Sequence, residues 1–122
     1  MGKHVLLIED EPNIIEAIRF ILMRDGWHVS AISDGLGAEA AVREAHPDLV
    51  ILDVMLPGRS GFEILAALRA DAATENLPVL MLTAKGQERD RAEAARIGAS
   101  GFMSKPFSNA EILASVRQLA GA

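Results

Sequence analysis

Leu49-Val50-Ile51-Leu52-Asp53 is a run of four apolar residues closed by a carboxylate. A run that is apolar at every position, rather than at alternate ones, predicts a strand covered on both faces, the environment of a parallel sheet. Three other runs share this design. His4 to Ile8 leads into Glu9-Asp10-Glu11, Val79 to Leu82 into Thr83, and Phe102-Met103, one residue on, into Lys105-Pro106. Parallel strands in one sheet bring their carboxyl ends to a common edge. That edge would collect carboxylates, a hydroxyl and an ammonium from both ends of the chain. Open α/β sheets bind their ligands there, outside the carboxyl ends of the strands, so the pattern bears on function as well as on fold.

Amphipathic segments separate the runs, at about 20 to 25 residues per unit, and this alternation predicts βα units. Pro12 suits a first helical position, Ile14, Ile18, Ile21 and Leu22 form one stripe, and Gly26 ends the helix. Asp34 is the expected cap of the second helix and Pro47 its stop. Ser60 with Glu63, and Ser108 with Glu111, have the spacing of capping boxes for the third and fifth helices. In the fifth helix Ile112, Leu113, Val116 and Leu119 face the core. The fourth, Gln87 to Ile97, is weakest: Ala92, Ala95 and Ile97 are its anchors amid six charged residues, and Gly98 closes it. Trp27 to Ile32 alternates, which predicts an edge strand, and the short Ser100 to Ser104 is the other edge. Five βα units fit a doubly wound α/β fold with a five-stranded parallel sheet, flavodoxin-like order 2-1-3-4-5, and five helices. Strands one and three are then neighbours at the switch point, with Asp10 and Asp53 at its crevice.

A chain of 122 residues is the size of one domain, and with 50% hydrophobic and 24% charged residues it is an ordinary globular composition. The lack of cysteine excludes disulfides, thiolate metal sites and cysteine nucleophiles. No apolar run approaches the roughly 20 residues that span a bilayer, and no secretory h-region follows Met1. Leu6 stands where a myristoylation signal wants Ser or Thr. The expectation is a cytoplasmic protein away from membranes. A net charge of −5 predicts no direct nucleic-acid binding by this chain.

Clustered carboxylates repel one another unless a cation joins them. An oxygen-only cluster suits a hard divalent ion, Mg²⁺ (or Mn²⁺), which uses one or two carboxylates, waters and a phosphate oxygen. Lys105 is a point charge suited to a phosphoryl oxygen, and Thr83 can donate to another. A carboxylate can itself be a nucleophile that forms an aspartyl-phosphate. The parts match phosphoryl transfer onto a carboxylate.

At this point the chain closely resembles, over its whole length, the receiver domain of two-component response regulators. The matching segments are Ile8 to Pro12, Pro47 to Asp53, Met55 to Gly58 with Ser60-Gly61, Leu82-Thr83-Ala84, Gly98-Ala99, and Lys105-Pro106-Phe107. The resemblance implies that Asp53 accepts a phosphoryl group from a histidine kinase or histidine phosphotransfer protein. It implies Mg²⁺ held by Asp10, Asp53 and the Met55 carbonyl, with Glu9 acting mainly through water. It implies that Thr83 and Lys105 bind phosphoryl oxygens, that Thr83 and Phe102 are a switch pair, and that the Lys105-Pro106 bond is cis. Positions such as Lys85 and Met55 tune phosphoryl lifetime in the family. Output would pass through the face of the fourth helix, fifth strand and fifth helix to a downstream protein or effector domain. The chain is then expected to be one receiver domain, residues 1–122, stand-alone or cut from a longer regulator. It would be no enzyme beyond its own phosphorylation and dephosphorylation.

Blander readings stand beside these. Asp53 and Thr83 could merely end strands, Asp10 and Glu11 could cap the first helix, and Lys105 could be solvated. Phe102 is as easily a core aromatic as a switch. His4, His28 and His46 read as structural. A dehalogenase-type phosphatase would want a second Asp two positions after Asp53, where Met55 stands. A flavin carrier would want a phosphate-cradling loop where Glu9-Asp10-Glu11 would repel phosphate. No Gly-Lys-Ser/Thr string supports a P-loop enzyme. An unphosphorylated receiver-fold interaction module remains the alternative. Receivers of winged-helix regulators often dimerise through charges on the output face. Arg91 and Glu111 match that pattern, whereas Arg96, Arg117, Ser100 and Ser115 depart from it. The expected state is a monomer with a possible phosphorylation-dependent dimer.

Overall fold

The structure is a computed structural model that describes residues 3–84 and 88–121. Its strands are β1 (His4–Ile8), β2 (His28–Ile32), β3 (Leu49–Asp53), β4 (Val79–Ala84) and β5 (Gly101–Lys105). They alternate with helices α1 (Pro12–Arg24), α2 (Ala38–Ala45), α3 (Gly61–Ala70), α4 (Glu88–Ile97) and α5 (Asn109–Val116). The strands pair in parallel, in the order β2-β1-β3-β4-β5. A π-helical turn, Arg117–Gly121, extends α5. Gln87, the expected start of the fourth helix, and Lys85 lie outside the described residues. Among the described residues no helix is long and apolar enough to cross a membrane.

The continuous apolar runs are continuous because each strand serves two cores. Val5 and Leu7, Leu49 and Ile51, and Leu80 and Leu82 pack with Ile18 and Leu22 of α1 and Ile112 and Val116 of α5. The intervening Leu6 and Ile8, Val50 and Leu52, and Val79 and Met81 pack on the other face with α2, α3 and Ala94 of α4. Burying a side chain of this size contributes about 1.5–3 kcal/mol. A one-residue register slip would exchange the two sets, so the pairing is strongly specified. Every residue of β3 is buried, while β2 and β5 are mostly half-exposed, as edge strands are. Trp27 is buried just before β2 rather than in it, and its indole donates to Asp25 at 3.0 Å.

Both capping boxes are formed. Ser60 Oγ accepts from the Glu63 amide and Ser108 Oγ from that of Glu111, and each glutamate accepts in return from its serine's amide. Two expectations for the helices change. Asp34 does not cap α2; its carboxylate accepts from the Leu36 amide in a local turn, and Gly37 precedes the helix without a side-chain cap. A short acidic side chain satisfies the amide two residues on as readily as a helix start. In α4 the buried residue is Ala94, whereas Ala92 and Ala95 are exposed. Alanine contributes so little burial that six charged neighbours leave the helix phase undetermined. α2 ends at Ala45, with His46 in the left-handed region at φ 48°, one residue before Pro47.

One contact ties the helices at the amino edge of the sheet, and another fixes the carboxyl edge. Arg69 donates to the carbonyls of Gly98 and Thr74 at 2.9 and 3.3 Å and to Ser100 Oγ at 3.3 Å, tying α3 to the end of α4. Gly61, the first residue of α3, lies against the end of β3. A Cβ there would sit far inside van der Waals contact distance of the Asp53 carbonyl oxygen and 3.0 Å from Val54 Cα. Backbone atoms cannot yield as a flexible side-chain tip does. Gly61→Ala is therefore expected to destabilise the fold by about 2 kcal/mol, within the overpacking range, seen as a lower midpoint in urea unfolding. An unchanged midpoint would contradict the close approach.

Candidate phosphoryl-acceptor and metal site

Register builds the site. Ile8 pairs with Leu52, so Glu9 and Asp53 come next on adjacent strands. On the other side Asp53 pairs with Leu82, Thr83 with Ser104 and Ala84 with Lys105. Four strand ends thus deliver Glu9, Asp10, Asp53, Thr83 and Lys105 to one edge.

Glu9 is 0% exposed and Asp53 4%, whereas Asp10 is exposed. Side-chain oxygens of Glu9, Asp10 and Asp53 all lie within 4.8 Å of one another. Lys105 Nζ lies 3.0 Å from Glu9 Oε1, 3.2 Å from Asp53 Oδ2 and 3.5 Å from Glu11 Oε1. Glu11, expected as a cap or a solvated residue, is solvated: as the residue before α1 it makes no capping bond, and its exposed carboxylate lies at the edge of this ammonium's reach. Asp53 Oδ1 accepts a long bond from the Met55 amide at 3.4 Å. The Met55 side chain is 74% exposed at the mouth of a cavity of about 510 Å³ that Asp10, Asp53 and Lys105 also line. The Lys105-Pro106 bond is cis.

Burial pushes the Glu9 carboxyl up to about 7, with the Asp53 charge acting in the same direction; the Glu11 amide and Lys105 oppose it. For Lys105 burial works downward, but Glu9 and Asp53 outweigh it and hold the ammonium above its ordinary value. Glu9 Oε2 accepts from the Glu11 amide at 3.1 Å. Its Oε1, close to Lys105 but outside hydrogen-bonding geometry, is the one buried side-chain polar atom among the described residues without a hydrogen bond. A buried carboxylate oxygen left in this way, in an all-oxygen donor set, fits a hard divalent cation.

Thr83 is 2% exposed, yet its hydroxyl is turned to Asp90 of α4, donating at 2.7 Å, and makes no hydrogen bond to Asp53 or Lys105. Phe102 is half-buried against the α2–α3–α4 core, with the Arg91 guanidinium 4.7 Å from its ring centroid. The sequence reading missed Asp90, because a carboxylate seven positions past a strand end has no recognised spacing. His4 is engaged at both ring nitrogens, with Ser30 Oγ at 2.7 Å and the Ala45 carbonyl at 3.3 Å, away from the acidic edge.

A doubly wound 2-1-3-4-5 sheet with an acidic cluster and a lysine at its carboxyl edge is the flavodoxin-like receiver architecture. The chain belongs to the response regulator receiver domain family of two-component signalling, which matches residues 5–117. It is 38% identical over 117 residues to the phosphate regulon transcriptional regulatory protein PhoB of Klebsiella pneumoniae, covering 96% of this chain and 51% of that protein. The chain thus spans about half the length of the curated relatives it matches. A putative response regulator from Chloroflexus aurantiacus superposes with a TM-score of 0.95 at 28% identity, with all of both chains covered. The receiver domain of a Pseudomonas aeruginosa sensor histidine kinase, with a magnesium ion coordinated in its active-site cleft, gives 0.90 at 27% identity, again over all of both chains.

The raised Glu9 value sets a pH dependence. Between about pH 4.5 and 7 the folded protein keeps a proton that the unfolded chain has released. This group's stabilising contribution is complete below that window and falls as pH rises through it. Glu9→Gln, melted in EDTA from pH 5 to 8, is expected to lose that decline and to melt above the wild type at pH 8. Parallel profiles would show that Glu9 is ionised throughout.

Proposed function

We propose that this chain is a Mg²⁺-dependent phospho-acceptor switch, in which Asp53 receives a phosphoryl group from a histidine kinase or histidine phosphotransfer protein. The observation that carries the reading is a buried carboxylate at the cavity, flanked by two further carboxylates, with a half-buried ammonium 3.2 Å away. The Asp53 oxygen would attack phosphorus as the donor's P–N bond breaks. The imidazole keeps the electron pair and takes up a proton. Lys105, already drawn to Asp53, would follow the incoming negative charge onto a phosphoryl oxygen. Thr83 would turn its hydroxyl to another, and Phe102 would move with it. The cation would be held by the side chains of Asp10 and Asp53 and the Met55 carbonyl, with Glu9 acting through water. Bound Mg²⁺ (or Mn²⁺) would neutralise charge on the transferring group. Water attack on the acyl phosphate would later restore the carboxylate and release phosphate. Self-phosphorylation and autodephosphorylation would be the chain's only chemistry.

The whole chain, residues 1–122, would act as one cytoplasmic receiver domain, and its α4-β5-α5 face would control a partner or an output domain. That face carries a groove of about 690 Å³ lined by Arg91, Phe102, Glu111 and Ser115, among others. Two of its cations are occupied within the chain: Arg96 pairs with Glu93, and Arg117 pairs with Asp25 of α1, each at 2.6 Å. This weakens a dimer built on charges across the face and supports a monomer that engages another protein.

Intact mass after incubation with acetyl phosphate and Mg²⁺ tests the chemistry. Wild type is expected to gain one phosphoryl group, and Asp53→Ala or wild type in EDTA none. If wild type gains nothing and beryllofluoride leaves its spectrum unchanged, the unphosphorylated interaction module replaces this reading. Sedimentation with and without beryllofluoride tests the oligomer. A monomer in both is expected, and a dimer with beryllofluoride would restore dimerisation as the output.

A further inference from the structure

Helix α4 holds both residues proposed as the switch pair, through two adjacent side chains. Asp90 Oδ2 accepts the Thr83 hydroxyl proton at 2.7 Å. Arg91 lies over the Phe102 ring at 4.7 Å from its centroid. A threonine hydroxyl has one proton to donate. While Asp90 has it, a phosphoryl oxygen on Asp53 cannot. The acceptor is charged, which makes the bond one of the stronger kind, and Thr83 is shielded from water that could replace it.

We propose that Asp90 is a positioning residue for the switch, a latch that keeps the Thr83 hydroxyl away from the acceptor site, with Arg91 on Phe102 as its second point of attachment. The proposal rests on the phospho-acceptor reading above. The phosphoryl group must then outcompete Asp90 for one proton, and breaking that bond releases the first half of α4 together with the switch hydroxyl. A ligand that binds only the released state has an apparent affinity reduced by the fraction of molecules released. Weakening the latch raises that fraction with no new contact to the ligand.

The test is titration of beryllofluoride, with Mg²⁺ present, followed by ¹⁹F NMR on the whole chain. Asp90→Ala is expected to bind about fivefold more tightly than wild type, the scale of losing one such hydrogen bond at a half-exposed acceptor. Asp90→Asn keeps an acceptor oxygen without the charge and is expected to fall between the two. It also decides the question if the alanine variant melts too low to titrate. In a Thr83→Ala background the Asp90→Ala change is expected to have no effect, which a merely structural role for Asp90 would not produce. Wild-type binding with equal or weaker binding by both Asp90 variants overturns the latch and leaves the receiver reading intact. An Asp90→Ala effect that persists without the Thr83 hydroxyl also overturns it. No binding by wild type overturns the receiver reading, and the latch with it.

Discussion

Lys105 Nζ stands between two buried carboxylates, 3.0 Å from Glu9 and 3.2 Å from Asp53, and reaches a third on Glu11 at 3.5 Å. Without it, burying Glu9 beside Asp53 would set like charges together where water cannot screen them. The sheet depends on this ammonium to tolerate its acidic edge, and the site depends on the ammonium being only partly committed. Three carboxylates share one cation, and Glu9 Oε1 still has no hydrogen bond. The balance is short of positive charge. A cleft in that condition is prepared for a divalent ion and for a group that redistributes the lysine. The proposed switch is the use of that shortfall.

The strands were legible because burial on two faces leaves an unmistakable apolar run. β1, β3 and β4 begin where their runs begin, and their carboxyl ends carry the residues expected there. The capping boxes were legible for a similar reason, since the chemistry that starts the helix is written at fixed spacing. Legibility failed where a side chain had several partners within reach. Asp34 satisfies a nearby turn amide instead of α2. In α4 three alanines stand close together among charges, and only the fold selects Ala94 for burial. Arg117, read as part of the output face, is held by Asp25 of α1, a contact across 92 positions that no periodicity reports.

Of the site, the residue types and their shared edge followed from the strand ends alone. The orientation of Thr83 did not. A strand-end hydroxyl can face the acceptor or the following helix, and its sequence neighbours do not decide between them. The carboxylate that takes the Thr83 proton, Asp90, becomes visible only when β4 and α4 are set against each other.

The Arg69 clasp makes the two ends of α4 unequal. Its guanidinium grips the Gly98 carbonyl and Ser100 beyond the helix's last turn, and Ala94 is the helix's one buried residue. The opposite end is held by side chains, Asp90 and Arg91, rather than by the core. Under the proposed latch, α4 would act as a lever with its fulcrum at the C-terminal end. With a rise of about 1.5 Å per residue, a tilt too small to disturb Gly98 grows along the helix and is greatest at Glu88. The output face would be displaced most along the half of α4 that borders the acceptor site and least beside α3.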